Sequence, residues 1–144
     1  MKTVAQLLRT KGNEVLSVAP ETAVFAALQL MAEKNVGAVL VLESERLVGI
    51  FSERDYARKV ILKGKSSKDT LVREIMSSYV LYVRPEQTID DCMALMTGKR
   101  VRHLPVLEDE QRVVGVISIG DVVKDIISEQ EFMIEQLQNY ITGR

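Results

Sequence analysis

Two short stretches of the chain carry residue types that can bind a polar ligand. Each ends an apolar run in a serine and places an aspartate three residues later: Ser52 with Asp55, and Ser118 with Asp121. This spacing is typical of a helix cap, in which the hydroxyl and the carboxylate bind free N–H groups of the first turn. A helix N-terminus also attracts anions and polyols. Because the pattern occurs twice, we predict a paired site, with capping alone as the competing interpretation.

A phosphate-bearing ligand would also need cations near these motifs. Arg54 lies inside the first motif, and Arg102 and His103 open a predicted strand in the second half. We expect the three to converge on a central cleft; the competing interpretations are that Arg54 is a solvated helix charge and that His103 is a structural histidine. The second motif has Gly120 where the first has Arg54, so the two sites are expected to be chemically unequal.

The motif belongs to an internal duplication with a period of about 65 residues. Residues 18–57 align with residues 83–123, with one gap at Gln111. The matches include Pro20 with Pro85, Leu30 with Leu95, Val41 with Val106 and Gly49 with Gly115. A unit of this size is marginal as an independent core, so the two halves are expected to pack on each other.

Hydrophobic periodicity predicts the same order of elements in both halves: short helix, strand, helix, strand, strand, helix. The first half is predicted to have helices at 4–8, 23–33 (capped by Thr22) and 55–62, with strands at 15–18, 38–42 and 47–51. The second half is predicted to have helices at 71–76, 88–98 and 121–140, with strands at 80–83, 102–107 and 112–118. The predicted units are therefore 1–62 and 71–128, joined by a basic linker at 63–70 and followed by a helical extension at 129–144.

Composition narrows the class of protein. The chain has 144 residues, of which 47% are hydrophobic and 27% charged, and its net charge of −1 gives no support for a nucleic-acid or membrane partner. Its single cysteine, Cys92, excludes an internal disulfide, and one histidine argues against His-based catalysis or a metal site. No apolar run is long enough to span a bilayer, and residues 1–12 lack a signal-peptide core, so we predict a cytoplasmic binding protein.

The duplicated order of elements, with Gly-x-x-Ser-x-x-Asp after the last strand of each half, resembles a tandem CBS-domain pair, or Bateman module. The resemblance covers nearly the whole chain and is closest to stand-alone CBS-pair proteins of signal-transduction type. It implies a mixed α/β (α+β) fold of two units, each a small sheet with helices, packed as a pseudo-twofold pair. It also implies a homodimer or higher homo-oligomer. The predicted C-terminal helix has an apolar face and extends beyond the repeat, which is compatible with its packing on a partner subunit.

For function, the resemblance implies a non-catalytic regulatory module that binds an adenosine nucleotide between its units and signals to an unidentified protein. AMP is the first candidate, and ADP, ATP, NAD(H) and S-adenosylmethionine remain open; no catalytic cofactor is implied. Asp55 and Asp121 would bind ribose hydroxyls, and Ser52 and Ser118 would contact phosphate. The adenine would lie against strand edges, at Ser17, Val18 and Ala38 in one cleft and at Leu81, Tyr82, Val83, Leu104 and Pro105 in the other.

Two other functions stay open from the sequence. One is a CBS-like scaffold or dimerisation protein without a ligand, in which both aspartates only cap helices. The other is a small nucleotide-processing enzyme, which the sequence disfavours because it has neither a GxxxxGK[ST] loop nor metal-ligand spacing.

Overall fold

The structure is a computed structural model that describes residues 2–143, apart from the side chain of Glu110. The outermost residues of the predicted first unit and of the predicted extension, Met1 and Arg144, lie outside the described residues. The first half contains α1 (Val4–Lys11), β1 (Ser17–Val18), α2 (Val24–Lys34), β2 (Ala38–Glu43), β3 (Arg46–Ser52) and α3 (Glu53–Tyr56), which continues as a π turn (Ala57–Ile61). The second half contains α4 (Val72–Ile75), α5 (Ile89–Lys99), β4 (His103–Leu107), β5 (Val113–Ser118) and α6 (Ile119–Thr142). This mixed fold of small sheets and helices confirms the predicted class.

Each half builds its sheet around the same antiparallel hairpin. In the first half, β2 pairs with β3 so that Ala38 faces Ser52, and β1 joins the other edge of β2 in parallel. In the second half, β4 pairs with β5 so that His103 faces Ser118. Equivalent registers place each motif serine opposite the first residue of the neighbouring strand.

The strand predicted at 80–83 is wrong, because only Val83 pairs with β4, through an isolated bridge. In the first half, Leu40 in β2 donates its N–H to the Leu16 carbonyl at 3.2 Å, which extends the parallel pairing. The matching residue in β4 is Pro105, which has no N–H to donate. The second parallel pairing therefore shrinks to a single residue pair.

The predicted cap of α2 by Thr22 is also wrong. Ala23 is the N-cap residue, and no side chain caps this helix. Its first N–H, from Val24, donates instead to the Thr70 carbonyl at 2.8 Å, and Ala23 forms a bridge with Leu71. Backbone from the linker thus takes the place that a threonine hydroxyl would fill.

The two halves exchange their short leading helices. Val4, Leu7 and Leu8 of α1 lie in the core of the second half, whereas Val72 and Ile75 of α4 lie in the core of the first half. The ranges 1–62 and 71–128 therefore describe the sequence repeat. In the folded chain, each hydrophobic core includes the short helix that the sequence places in the other range.

The glycine of each repeated motif permits this exchange. A Cβ atom on Gly49 would lie 2.7 Å from Met76 Sδ and 2.9 Å from the Ser77 carbonyl oxygen, which follow α4. A Cβ atom on Gly115 would lie 2.8 Å from a methyl carbon of Leu8 in α1. Strand and exchanged segment can approach this closely only because the side chain is absent. A third cluster, centred on Leu40, Leu47 and Leu107, packs the two sheets together.

Candidate ligand-binding clefts

Both motifs form the predicted capping boxes at the junction of a strand and a helix. The Asp55 N–H donates to Ser52 Oγ at 3.2 Å, and the Ser52 N–H donates back to Asp55 Oδ2 at 2.9 Å. The corresponding distances between Asp121 and Ser118 are 3.1 and 2.9 Å. The two junctions are therefore built alike, and each opens into its own cleft.

The cleft at Asp55, called the first cleft, has a volume of about 760 Å³. Arg54 lines it together with Arg102 and His103, so the structure brings the three predicted groups from different halves together. Lys99 and Arg100, the last residue and the C-cap of α5, also line it and were missed, although only Val101 separates them from Arg102 in the sequence. The remaining lining residues are Gly37, Ala38, Ile50, Ser52, Asp55, Ser77, Tyr79, Val80, Leu81 and Val101.

The cleft at Asp121, called the second cleft, is smaller and more apolar, with a volume of about 290 Å³. Its polar lining residues are Lys11, Glu14, His103, Ser118 and Asp121. Its other lining residues are Leu16, Val36, Ala38, Val39, Leu40, Ile50 and Val116. Apolar walls with a few convergent polar groups are typical of sites for small organic ligands.

Lys11 is the functional residue that sequence reasoning missed in the second cleft. Its ammonium lies 2.5 Å from Asp121 Oδ2 and donates a second hydrogen bond to the Val116 carbonyl. Burial raises the pKa of Asp121, but hydrogen bonds from Lys11 and Ser118 outweigh it and hold that pKa below its usual value. Only the exchange of α1 brings Lys11 here, so the sequence around residue 11 contains no local signal for this role.

His103 lies between the clefts and lines both of them. Burial lowers its pKa, and the charges of Lys11 and Arg102 lower it further, against the opposing effect of Asp121. The imidazole is therefore neutral at pH 7 and offers one donor and one acceptor. Ala38 and Ile50 also line both clefts, so the two sites share a wall.

Six predicted site residues line neither cleft: Ser17, Val18, Tyr82, Val83, Leu104 and Pro105. The side chains of Val83 and Leu104 are fully enclosed in the second core, which corrects the prediction that they form a cleft surface. Pro105 is buried as well, because β4 is covered on both faces. Tyr82 is exposed and stacks its ring under Arg84, 5.8 Å from the guanidinium carbon. For the predicted residues that do line the clefts, contact with a nucleotide stays a prediction.

The described residues contain no group of three or more His, Cys, Asp or Glu side chains placed to hold a metal ion. In the same part of the chain, no helix is long and apolar enough to cross a membrane.

The profile of the CBS domain matches the chain twice, at residues 4–62 and 72–128. The chain belongs to the CBS domain family. The predicted tandem pair is thereby confirmed. The first match ends one residue after the π turn that continues α3, and the second ends within α6. The chain is 37% identical, over 150 aligned residues, to the CBS domain-containing protein CBSX3, mitochondrial, of Arabidopsis thaliana; the alignment covers 98% of this chain and 72% of that protein.

Solved CBS structures have the same fold. A protein with CBS domains from Burkholderia ambifaria is 51% identical, with a TM-score of 0.81, over 90% of this chain and 96% of that one. The CBS domain pair of protein MJ0100, in complex with 5′-methylthioadenosine and S-adenosyl-L-methionine, has a TM-score of 0.77 over 90% of this chain and 98% of that one. At 19% identity, its likeness to this chain concerns the fold alone.

Proposed function

We propose that this CBS pair is a non-catalytic regulatory module that binds adenosine nucleotides, with AMP as the leading ligand, and passes the occupancy of its clefts to a partner protein. The observation that carries the proposal is the pair of equivalent capping boxes, each opening into a cleft with apolar walls and at least one cation. The adenosine ligands bound by the CBS pair of MJ0100 support this ligand class for the fold.

In the first cleft, Asp55 would accept hydrogen bonds from the ribose hydroxyls, and the N-terminus of α3 with Ser52 would face the phosphate. Four cationic side chains would neutralise that phosphate: Arg54, Lys99, Arg100 and Arg102. Guanidinium groups suit this task because they bind phosphate oxygens with two parallel hydrogen bonds. Apolar side chains such as Ile50 and Leu81 would hold the adenine.

In the second cleft, Asp121 and Ser118 would take the same roles, and the apolar walls would enclose the adenine. Lys11 is the one lysine or arginine among the described residues that line this cleft, and the cavity is less than half as large. We therefore expect the first cleft to accept the more highly phosphorylated ligands, and the second to favour a monophosphate.

A thermal-shift panel tests the proposal, with AMP, ADP, ATP, NADH, S-adenosylmethionine and GMP added to the wild type, Asp55→Ala and Asp121→Ala. A ligand at about 100 times its Kd should add roughly 2.7 kcal/mol, which is a shift of several degrees for a chain of this size. Asp91→Ala is the matched control, because Asp91 forms the same capping box at the start of α5 but lines neither cleft. It should lower the melting temperature without reducing the shift caused by AMP.

An adenosine-specific shift that is lost in one aspartate variant assigns the ligand to that cleft. The absence of any shift, in folded protein free of co-purified nucleotide, would contradict the proposal and favour a ligand-free scaffold. Turnover of ATP or NAD by pure protein, abolished by Asp55→Ala or Asp121→Ala, would favour the nucleotide-processing enzyme instead.

For the oligomer, we propose that the distal part of α6 packs on a second copy of the chain. This part exposes an apolar stripe without a partner in the described chain: Ile127, Met133, Ile134, Leu137, Tyr140 and Ile141. Beside the stripe stand Glu129, Glu131 and Glu135, with no lysine or arginine from 125 to 142. The chain also has a complementary surface, where exposed Ile61 and Leu62 lie next to Lys63 and Lys65. Reciprocal contact between these two surfaces would give a twofold dimer.

Light scattering after size exclusion measures this association. Leu137→Glu should yield a monomer, whereas Asn139→Glu, which adds the same charge on the opposite side of the helix, should leave the dimer intact. A wild type that is monomeric at high micromolar concentration would contradict the proposed dimer.

We also propose the cytoplasm as the compartment, on the grounds of composition. The similar Arabidopsis protein is named as mitochondrial, so organelle and cytosol are the alternatives to separate. Fractionation of cells that produce the natural full-length protein, with detection by antibody, distinguishes them; recovery in an organelle or membrane fraction would contradict the proposal.

A further inference from the structure

We propose that Lys11 makes the second cleft selective for phosphorylated adenosine ligands over the uncharged nucleoside. This inference rests on the proposed function and concerns how one of its two sites chooses a ligand. Lys11 lies 2.5 Å from Asp121 Oδ2 and also donates to the Val116 carbonyl, so its ammonium occupies the space where ribose hydroxyls would approach Asp121.

The first cleft lacks this arrangement. Asp55 is paired with Lys59, one turn further along its own helical segment, at a longer distance of 3.3 Å. Lys59 also donates to the Ile75 carbonyl at 3.0 Å and does not line the first cleft. In the second cleft, by contrast, Asp121 is paired with Lys11, which comes from a distant segment of the chain and lies inside the cleft.

The ion pair imposes a condition on any ligand that uses Asp121. Vicinal ribose hydroxyls that use both carboxylate oxygens must compete with the Lys11 ammonium at Oδ2, and a neutral hydroxyl does not replace the attraction between two opposite charges. A ligand phosphate at the N-terminus of α6 offers the ammonium a new anion, so one ion pair replaces another. An uncharged nucleoside offers no such anion, so the ammonium would lose its bond to Asp121 without gaining a ligand anion in exchange.

The surroundings of Lys11 allow this movement. Lys11 and Asp121 also line a groove of about 520 Å³ between α1 and α6, so their ion pair stands between this groove and the second cleft. The groove is bordered by Lys2 and Lys124, which keep its charge positive beside Asp125. The Lys11 side chain is partly exposed, and its four-carbon stem can turn toward a phosphate without a shift of α1.

Isothermal titration of AMP and adenosine tests the inference, in an Asp55→Ala background that disables the first cleft. Lys11→Met frees Asp121 for the ribose and removes the cation for the phosphate. We expect adenosine to bind more tightly and AMP more weakly, so that the ratio of their Kd values changes by about tenfold or more. Lys11→Arg should keep the preference for AMP. Arg9→Met removes one positive charge from the exposed face of α1 outside the cleft and should leave the ratio unchanged.

Each outcome separates this inference from the proposed function. Binding of both ligands with an unchanged ratio in Lys11→Met would overturn the role of Lys11 and leave the nucleotide site intact. Binding in the wild type that Asp55→Ala abolishes would overturn it too, because the ligand would then use the first cleft alone. Failure of the wild type to bind either ligand would overturn this inference together with the choice of AMP as the leading ligand, whereas only failure of the whole thermal-shift panel would overturn the proposed function. If Asp55→Ala does not fold, Asp55→Asn provides a second background, since its amide oxygen can still accept the Ser52 N–H while the carboxylate proposed to bind the ribose is removed.

Discussion

Replacement of Gly49 by alanine tests the close approach that positions the first motif. The new Cβ would lie 2.7 Å from Met76 Sδ and 2.9 Å from the Ser77 carbonyl oxygen. The thioether can swing away, but the carbonyl is backbone and accepts the Ile50 N–H at 2.9 Å. The reciprocal bond, from the Ser77 N–H to the Ile50 carbonyl, is also 2.9 Å, so the added methyl group must strain or break a two-bond bridge.

The expected free-energy change is a difference between two opposing effects. Overpacking of a well-filled interior costs about 1–3 kcal/mol. Replacing glycine by alanine also reduces the conformational entropy of the unfolded chain, which stabilises the folded state by about 0.4–1 kcal/mol. The mid-range values predict that Gly49→Ala lowers the free energy of unfolding by about 1.3 kcal/mol, which corresponds to roughly 3–5 °C in the melting temperature.

Gly98→Ala is the matched control. Gly98 lies in the last turn of α5, and an added Cβ there would meet no atom within 4 Å. The same substitution should raise stability by about 0.5–1 kcal/mol, because glycine is the weaker helix former. Urea denaturation followed by circular dichroism measures both variants, with similar m-values as the check on two-state unfolding. Equal stability of the two variants would refute the argument that the motif glycine is needed for close packing. When Met76→Ala is added to the Gly49→Ala variant, we expect it to recover only part of the lost free energy of unfolding.

Three further predictions follow from charged and titratable groups. Lys2→Met should cost more stability than Asp125→Leu. Lys2 donates at 2.6 Å to the buried Asp125 carboxylate, whose other oxygen has no hydrogen-bond partner within the described part of the chain. Removing the lysine leaves an unpaired buried charge, which costs more than replacing the carboxylate with an apolar side chain; equal losses in urea denaturation would contradict this prediction. Because the pKa of His103 is lowered from 6.5 in the folded state, the unfolded chain takes up its proton first, and stability should fall as the pH drops below about 6.5; His103→Gln should flatten that part of the pH curve. Burial, together with the nearby Asp91, raises the pKa of Cys92 to about 11. Native protein at pH 8 should therefore resist iodoacetamide, and the thiol should react only when the protein is unfolded. Rapid alkylation of the native protein, detected by mass spectrometry, would contradict this prediction and show that the thiol is accessible.

Local patterns were sufficient to predict most of the elements and both motifs. Helix and strand periodicities depend on neighbours in the chain, and the Ser-x-x-Asp spacing describes a contact within one helical turn. The same is true of α6, whose apolar positions predicted a helix that extends beyond the second unit. Convergence of Arg54 with Arg102 and His103 could be predicted because the duplication sets equivalent strand ends beside each other.

The features that were missed depend on which distant segments pack together. The amphipathic pattern of residues 4–8 predicts a helix with a buried face, but it does not say which of two similar cores will bury that face. The position of Lys11 follows from that choice, so it could not be predicted. The loss of the strand at 80–83 had a visible cause in Pro105, but only a known pairing register shows which N–H group the proline removes.

Helix α6 runs from the second cleft to the surface that is proposed to contact a second copy. Its N-cap, Ser118, and its first-turn acid, Asp121, stand in the second cleft, and its distal half carries the apolar stripe proposed to contact a second copy. A helix of 24 residues spans about 36 Å, so a small rotation at its N-terminus moves the far end by a larger distance. A ligand can bias such a rotation only if it binds two orientations of the helix with different affinity. Exchange of the Lys11–Asp121 ion pair for a Lys11–phosphate pair would supply that difference in affinity. Two lysines of the N-terminal segment contact α6, and the exchange would release α6 from one of them. The other contact, Lys2 with Asp125, lies one turn further along the helix and would become the pivot.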